Sequence, residues 1–211
     1  SSRADRALAL YRFRERAWRS PAAVVNLDDA QGRSLAQTLL ARQRPAQVWT
    51  FSCQGPARLQ ARHIRWHSSS EGGAGLAFEV CEGDEALALQ TRMVGAFNVS
   101  NVLAVIAALR ALGHPLADAV QACAHLPSVP GRMNSLGGVK QPLVVVDYAH
   151  TPDAIQTALR ALRPHVMGRI IAIVGAGGDR DTTKRPLMGA AAVENADVVI
   201  VSASLISRVI I

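Results

Sequence analysis

Between Leu143 and Val201 the sequence runs apolar, β-branched stretches into polar turn residues three times. Leu143 to Val146 ends in Asp147-Tyr148-Ala149-His150-Thr151-Pro152 and leads to an amphipathic stretch from Asp153 to Leu162. Ile170 to Val174 ends in Gly175-Ala176-Gly177-Gly178-Asp179-Arg180, and Pro186 to Ala192 follows with helical spacing. Val198 to Val201 is the third run. Apolar strands alternating with amphipathic helices predict an α/β fold, a mostly parallel sheet with helices laid over it. In such sheets the loops at the carboxyl ends of the strands carry the ligand-binding groups. Asp147 and His150 fall on one of these loops, and Gly177, Gly178, Asp179 and Arg180 on another.

Upstream the pattern is different. Residues 3 to 18 have helical composition, Ala22 to Val25 reads as a strand ending at Asn26, and Ser34 to Arg42 reads as a helix stopped before Pro45. Gln47 to Ser52 is a strand, and the short alternating runs from Arg58 to Gln90 predict antiparallel strands. Asn98 to Leu112 is the strongest helix, with Val102, Val105, Ile106 and Leu109 on its apolar side, and Leu116 to His125 makes a second. Leu126-Pro127-Ser128-Val129-Pro130-Gly131 then stiffens and breaks the chain. We therefore expect two domains, residues 1–127 and 128–211.

Composition narrows the function. With 49% hydrophobic and 18% charged residues, the 211-residue chain is expected to be globular. No run approaches the about 18 apolar residues that would suggest a membrane span, and no secretory signal is visible. Cys53, Cys81 and Cys123 match no zinc spacing and suit free thiols in a reducing cytoplasm. The net charge of +7 comes largely from six arginines among the first nineteen residues. Aromatics make up 4% of the chain, few for base stacking, so a nucleic-acid partner is not expected. The arginine-rich stretch reads as a solvated basic helix or as an attraction for a phosphorylated ligand.

Several polar residues stand out, each with two readings. Asn98 and Asn101, three apart at a helix start, could cap the helix or present amides to a purine edge. Arg132 follows a Pro-Gly turn, as an ordinary exposed arginine or as an anion contact. Asp147 could cap the next turn or accept from ribose hydroxyls. His150 has no visible catalytic partner, so no catalytic residue is assigned and His150 is placed with binding. The glycine-rich loop fails the dinucleotide spacing, because Arg180 falls where the third glycine belongs. It does expose Arg180 as a fork for a carboxylate.

These residues resemble the Mur ligases of peptidoglycan synthesis. The similarity lies in Asp147-Tyr148-Ala149-His150-Thr151-Pro152-Asp153, Gly177-Gly178-Asp179-Arg180-Asp181 and Lys184-Arg185-Pro186-Leu187-Met188-Gly189. Gly95 through Ala104, Val129-Pro130-Gly131-Arg132-Met133 and Asn26-Leu27-Asp28-Asp29 agree too, in the family's order. Asn134 departs from the acidic residue the family carries after its methionine. The resemblance implies part of a central ATP-binding domain followed by part of a Rossmann-like C-terminal domain. It implies an ATP- and Mg²⁺-dependent, ADP-producing ligase. Such an enzyme joins meso-diaminopimelate or lysine to UDP-N-acetylmuramoyl-L-alanyl-D-glutamate through an acyl phosphate. By the same resemblance Asn98, Asn101, Arg132, Asp147, Tyr148 and His150 bind ATP and Arg180 meets the incoming amino acid. No protein ligand to a metal is implied.

The resemblance covers about residues 21 to 202. The sequence holds no Gly-Lys pair, so the phosphate-gripping P-loop is missing. The chain therefore reads as an internal piece of a longer cytoplasmic ligase with atypical residues at both ends, inactive by itself. The alternative is a non-catalytic nucleotide- or dinucleotide-binding module. Leu205 to Ile211, apolar and following the last strand, are expected to lie beside an uncovered sheet edge and to promote self-association.

Overall fold

A computed structural model of the chain describes residues 22–41, 47–69, 73–137, 142–175, 183–202 and 209–210. They group into two compact units. The first takes the chain up to Ile64, with Phe78–Leu89 and Val99–Ala124. The second takes Arg65–Ala77, Gln90–Asn98 and the chain from His125 onward.

The upstream strands are β1 (Ala22–Asn26), β2 (Gln47–Ser52), β3 (Leu59–Ser69), β4 (Gly73–Glu82) and β5 (Glu85–Thr91), and they form one sheet in that order. β1 and β2 are parallel, with Val24 opposite Trp49, and β2 and β3 are parallel as well. A parallel neighbour needs a crossover, and helix α1 (Ala30–Ala41) supplies it for the first pair. The turn into α1 is set by Asn26, whose Oδ1 accepts from the Asp28 backbone N–H at 2.8 Å. β4 and β5 meet through Gly83-Asp84, and Gly83 has the positive φ of +60° that a two-residue hairpin favours.

Helix α2 (Phe97–Ala111) buries Val99, Val102, Leu103, Ile106 and Ala107, and α3 (Leu116–Ala124) follows. The expected apolar stripe is shifted: Val105 is 43% exposed, and the buried face turns toward Leu103 and Ala107 instead. A helix this rich in apolar residues has little contrast between faces, so periodicity alone misplaces the stripe by one position. On the same unit, the Arg58 guanidinium lies 3.2 Å from the centroid of the buried Trp49 ring. Glu82 holds both Arg58 and Arg110 in place, the latter at 2.7 Å.

The second unit contains β6 (Asn134–Gly137), β7 (Leu143–Asp147), β8 (Ile171–Gly175), β9 (Val198–Ser202) and β10 (Val209–Ile210), in the order β6-β7-β10-β8-β9. The expected parallel arrangement is present in β8 and β9, with Ile173 opposite Ile200. β10 runs antiparallel to both β7 and β8, so those two strands point the same way without touching. β6, which periodicity did not reveal, pairs antiparallel with β7. Of the apolar terminal run only Val209 and Ile210 are described, and for these two the expected place beside an uncovered edge is corrected: they pair on both sides, between β7 and β8, while β9 stands at the edge of the sheet.

Helix α4 (Pro152–Leu162) starts at Thr151, whose side chain accepts from Ala154 N at 3.2 Å, with Pro152 on the first turn. It buries Ile155, Ala158, Leu159 and Leu162. Helix α5 (Lys184–Asn195) adds Met188, Ala191 and Ala192, and together they cover Val145, Ala172 and Val174 of the sheet.

At the amino ends of β8 and β9 one carboxylate organises the connections. Asp197 Oδ2 accepts from Ile170 N and from Arg163 Nη1, each at 2.7 Å. The backbone N–H first and the guanidinium second hold this carboxyl below its ordinary range. A lowered acidic pKa contributes stability that is present above the unfolded value and disappears as pH falls through the folded one. Asp197→Asn should therefore lower the thermal midpoint at neutral pH, with the gap from the parent closing as the solution is acidified below the ordinary carboxyl range. A gap that persists unchanged in acid would show that the ion pair is not its source.

Candidate functional site

At the carboxyl end of β7, Asp147 turns its side chain back into the second unit. Its Oδ2 accepts from the backbone N–H of Met133 at 2.9 Å. Met133 is fully buried and has φ +48°, unusual for a residue with a side chain, while Gly131 two positions earlier has φ +72°. Arg132 N donates to Val129 O at 2.9 Å, which tightens the turn. A left-handed methionine costs backbone energy and persists only when its surroundings fix it. Here burial of the side chain and the bond to Asp147 both do so. The result presents Arg132 outward between two left-handed residues.

The Arg132 guanidinium lies 5.6 Å from the centroid of the half-exposed Tyr148 ring, within reach of a cation–π interaction. Tyr148 is followed by His150, whose ring sits 5.1 Å away and whose Nδ1 is 3.0 Å from Tyr148 O. Ala149 between them is buried, which points both rings to the outside of the loop. A third segment joins the group. The buried Val94 packs in one cluster with Met133, Val145 and Ala149. Gly95, at φ +92°, could not carry a Cβ, which would fall 2.8 Å from the Phe97 ring and 3.4 Å from Met133 Cε. The glycine thus lets the start of α2 approach the Met133 turn.

Asn98 lies in the first turn of α2, and its Nδ2 donates to Val94 O at 2.7 Å. Five sequence-selected residues are therefore brought into one unit: Asn98, Arg132, Asp147, Tyr148 and His150. Asn101 sits one turn further along α2, exposed and counted with the first unit. Arg180 and its glycine-rich loop lie outside the described residues, as does the arginine-rich amino-terminal stretch.

Two further polar groups are used locally. Asn26 Nδ2 donates to Ser100 Oγ at 3.2 Å, and Asp28 accepts from Ser52 Oγ and from Cys53 N. Sequence reading marked Asn26 and Asp28 but missed Ser52, whose Oγ accepts from the backbone N–H groups of Gln54 and Gly55. Its signal was available: a serine at the end of an apolar strand is a turn former. The Cys53 thiol is pushed up to about 11, mainly by burial and then by Asp28, which leaves it protonated and a poor nucleophile at neutral pH. All three cysteines are free thiols.

Chemically the second-unit cluster brings a carboxylate, a guanidinium and two rings to one stretch of surface. Asp147 spends one oxygen on Met133 and, with several lone pairs per carboxylate, retains capacity to accept from a ligand hydroxyl. Tyr148 and Arg132 offer a flat, cationic platform. Among the described residues no three His, Cys, Asp or Glu side chains converge as a metal site would require. Also among them, no helix is long and apolar enough to cross a membrane.

Two family models match the chain in order. Residues 7–109 match the Mur ligase middle domain and residues 131–208 match the Mur ligase glutamate ligase domain. Both reach beyond the 21–202 span expected from motifs, and the first begins inside the arginine-rich stretch. The UDP-N-acetylmuramoyl-L-alanyl-D-glutamate--2,6-diaminopimelate ligase of Acidovorax sp. (strain JS42) is 55% identical over 184 residues. That match covers 86% of this chain and 35% of the relative. The same-named protein of Pseudomonas aeruginosa is 45% identical, over 85% of this chain and 35% of its own length. The chain thus spans about a third of these curated relatives. A solved structure of a ligase with that name superposes at TM-score 0.61 with 35% identity, over 87% of this chain and 37% of the other. A MurF ligase from Thermotoga maritima in complex with ADP shares the fold at TM-score 0.62 and 23% identity, over 87% and 40%.

Proposed function

The chain belongs to the Mur ligase family, and from that membership we propose that it supplies the adenosine-holding part of an ATP-dependent ligase of peptidoglycan synthesis. The whole enzyme would join diaminopimelate to UDP-N-acetylmuramoyl-L-alanyl-D-glutamate in the cytoplasm. Diaminopimelate is favoured over lysine because the relatives at 55% and 45% identity carry it in their names. The family match also favours this reading over a free-standing dinucleotide module. In this assignment residues 1–127 are part of the central ATP-binding domain and residues 128–211 part of the Rossmann-like C-terminal domain.

One observation carries the reading: Asp147 stands at the carboxyl end of β7, aimed by the Met133 N–H, with Arg132 and Tyr148 alongside. Asp147 would accept from a ribose hydroxyl, and Arg132 would lie against the ribose or the first phosphate. Tyr148 and His150 would flank the nucleoside, while Asn98 and Asn101 would offer amides to the purine edge. Arg180 would meet the carboxylate of the incoming amino acid. Bound ATP would supply the phosphoryl group that activates the acceptor carboxyl. The described side chains do not fit a Mg²⁺ site of their own, so no role for the ion is assigned to them.

The test is a titration of the chain with adenosine, ADP and ATP. Each charge-assisted phosphate contact is worth about 1.5–3 kcal/mol, and the sequence offers no Gly-Lys pair to make the P-loop ones. Adenosine and ATP should bind weakly and within a few-fold of each other. Incubated with ATP, Mg²⁺, the dipeptide nucleotide and diaminopimelate, the chain should release no ADP above background. A hundredfold preference for ATP, about 2.7 kcal/mol, would sink the adenosine-only reading.

A further inference from the structure

Asn26-Leu27-Asp28-Asp29, at the end of β1, takes no part in the proposed nucleotide contacts, yet it is held from several directions. Asn26 Oδ1 accepts from Asp28 N at 2.8 Å, and Leu27 N donates to Phe51 O at 2.9 Å. Asp29 Oδ1 accepts from Gly32 N at 2.7 Å. The Arg33 guanidinium donates to Leu27 O at 2.8 Å and to Asp28 O at 3.2 Å. Gly32 itself must be bare, because a Cβ there would run into the Asn26 carbonyl oxygen. A turn with this many directional restraints is a rigid fixture. From it Asn26 Nδ2 reaches Ser100 Oγ at 3.2 Å, 74 positions along the chain, in the first turn of α2. Both residues are half-buried and belong to the first unit.

Helix α2 needs such a fixture. Its buried Val99, Val102, Leu103 and Ile106 are flanked by the equally apolar Phe97 and Val105, which are 39% and 43% exposed. Turning the helix to bury Val105 would offer a similar apolar face, so packing holds its depth more firmly than its rotation about its own axis. Apolar contacts are non-directional, whereas a hydrogen bond fixes an angle. Successive residues stand about 100° apart around a helix, so an angle fixed at Ser100 is fixed at Asn101 as well. Asn101 is exposed.

We propose that Asn26 is a positioning residue for purine recognition. Through its bond to Ser100 it sets the rotation of α2, and so the direction in which Asn101 presents its amide. This rests on the adenosine-holding reading and adds to it a determinant of base selectivity that touches no nucleotide itself.

Calorimetric titration of the full chain with adenosine and with inosine tests this, since inosine carries a carbonyl where adenosine has its amine. The parent should prefer adenosine. Ser100→Ala removes the acceptor and should cut that preference roughly fivefold, the loss of one neutral hydrogen bond to the purine at about 1 kcal/mol. Alanine is the better helix former, so the thermal midpoint should change little; a merely structural bond would move the midpoint and leave the preference alone. Ser100→Thr keeps the hydroxyl and should keep the preference. Asn26→Ala should match Ser100→Ala, and the double variant should lose no more than either. If Asn26→Ala fails to fold, the two Ser100 variants still decide. An unchanged preference in Ser100→Ala overturns the inference and leaves the adenosine reading in place. So does a preference lost equally in Ser100→Thr. A parent that binds neither nucleoside, or both alike, overturns the adenosine reading itself and the inference with it.

Discussion

Asp147→Ala is expected to abolish measurable adenosine binding and to destabilise the second unit by about 1–3 kcal/mol, the cost of leaving a buried backbone donor without its acceptor. The two effects share one cause. The Met133 N–H reaches Asp147 Oδ2 at 2.9 Å, and the Met133 side chain is fully buried in the cluster that contains Val145 and Ala149. Without the carboxylate, the left-handed Met133 loses one of the two restraints that hold it, and the Arg132 turn loosens. Asp147→Asn separates the contributions, because its amide oxygen can still accept from Met133 N while the negative charge is gone. The asparagine variant should keep most of the stability and lose binding, by roughly tenfold for one charge-assisted contact. Urea denaturation and calorimetric titration of both variants provide the check. Asparagine binding adenosine as well as the parent would remove Asp147 from the nucleotide site and leave it a purely structural turn residue.

How much of this was legible beforehand varies with the kind of information each feature needs. β7, β8 and β9 are short apolar runs bounded by turn residues, and their limits fall within one residue of those expected. α4 carries its start in Thr151-Pro152, a cap followed by a proline where the missing N–H costs nothing. β6 was not legible. Asn134-Ser135-Leu136-Gly137 has neither alternation nor branching to mark a strand, and it exists because β7 offers it a partner. The candidate site was legible as a set of residues and not as an arrangement. Nothing local announces that Asp147 bonds Met133 across fourteen positions or that Gly95 must be bare to let α2 come near. The direction of β10 was equally hidden, since pairing on both sides depends on a gap between two strands far upstream.

That gap is the basis of the second large effect. Trimming the chain after Ser202 is expected to destabilise the second unit, reversing the gain in solubility that the apolar tail suggests when read as sequence. Val209 pairs with Asp147 on one side and Val174 on the other, and Ile210 pairs with Val146 and Ile173. At about 0.5–1.5 kcal/mol net for each backbone hydrogen bond, losing this strand should cost on the order of 2–4 kcal/mol. It also bares the inner edges of β7 and β8, and unpaired strand edges promote aggregation. Because Val209 lies opposite Asp147 itself, adenosine binding should weaken along with stability. Ile210→Pro offers a milder cut, since proline in a strand paired on both sides removes a donor. Denaturant titration and light scattering of the trimmed and proline forms decide the matter. A trimmed chain that melts with the parent and stays clearer at high concentration would mean that β10 adds nothing to the sheet. The apolar tail would then be only the liability its composition suggests.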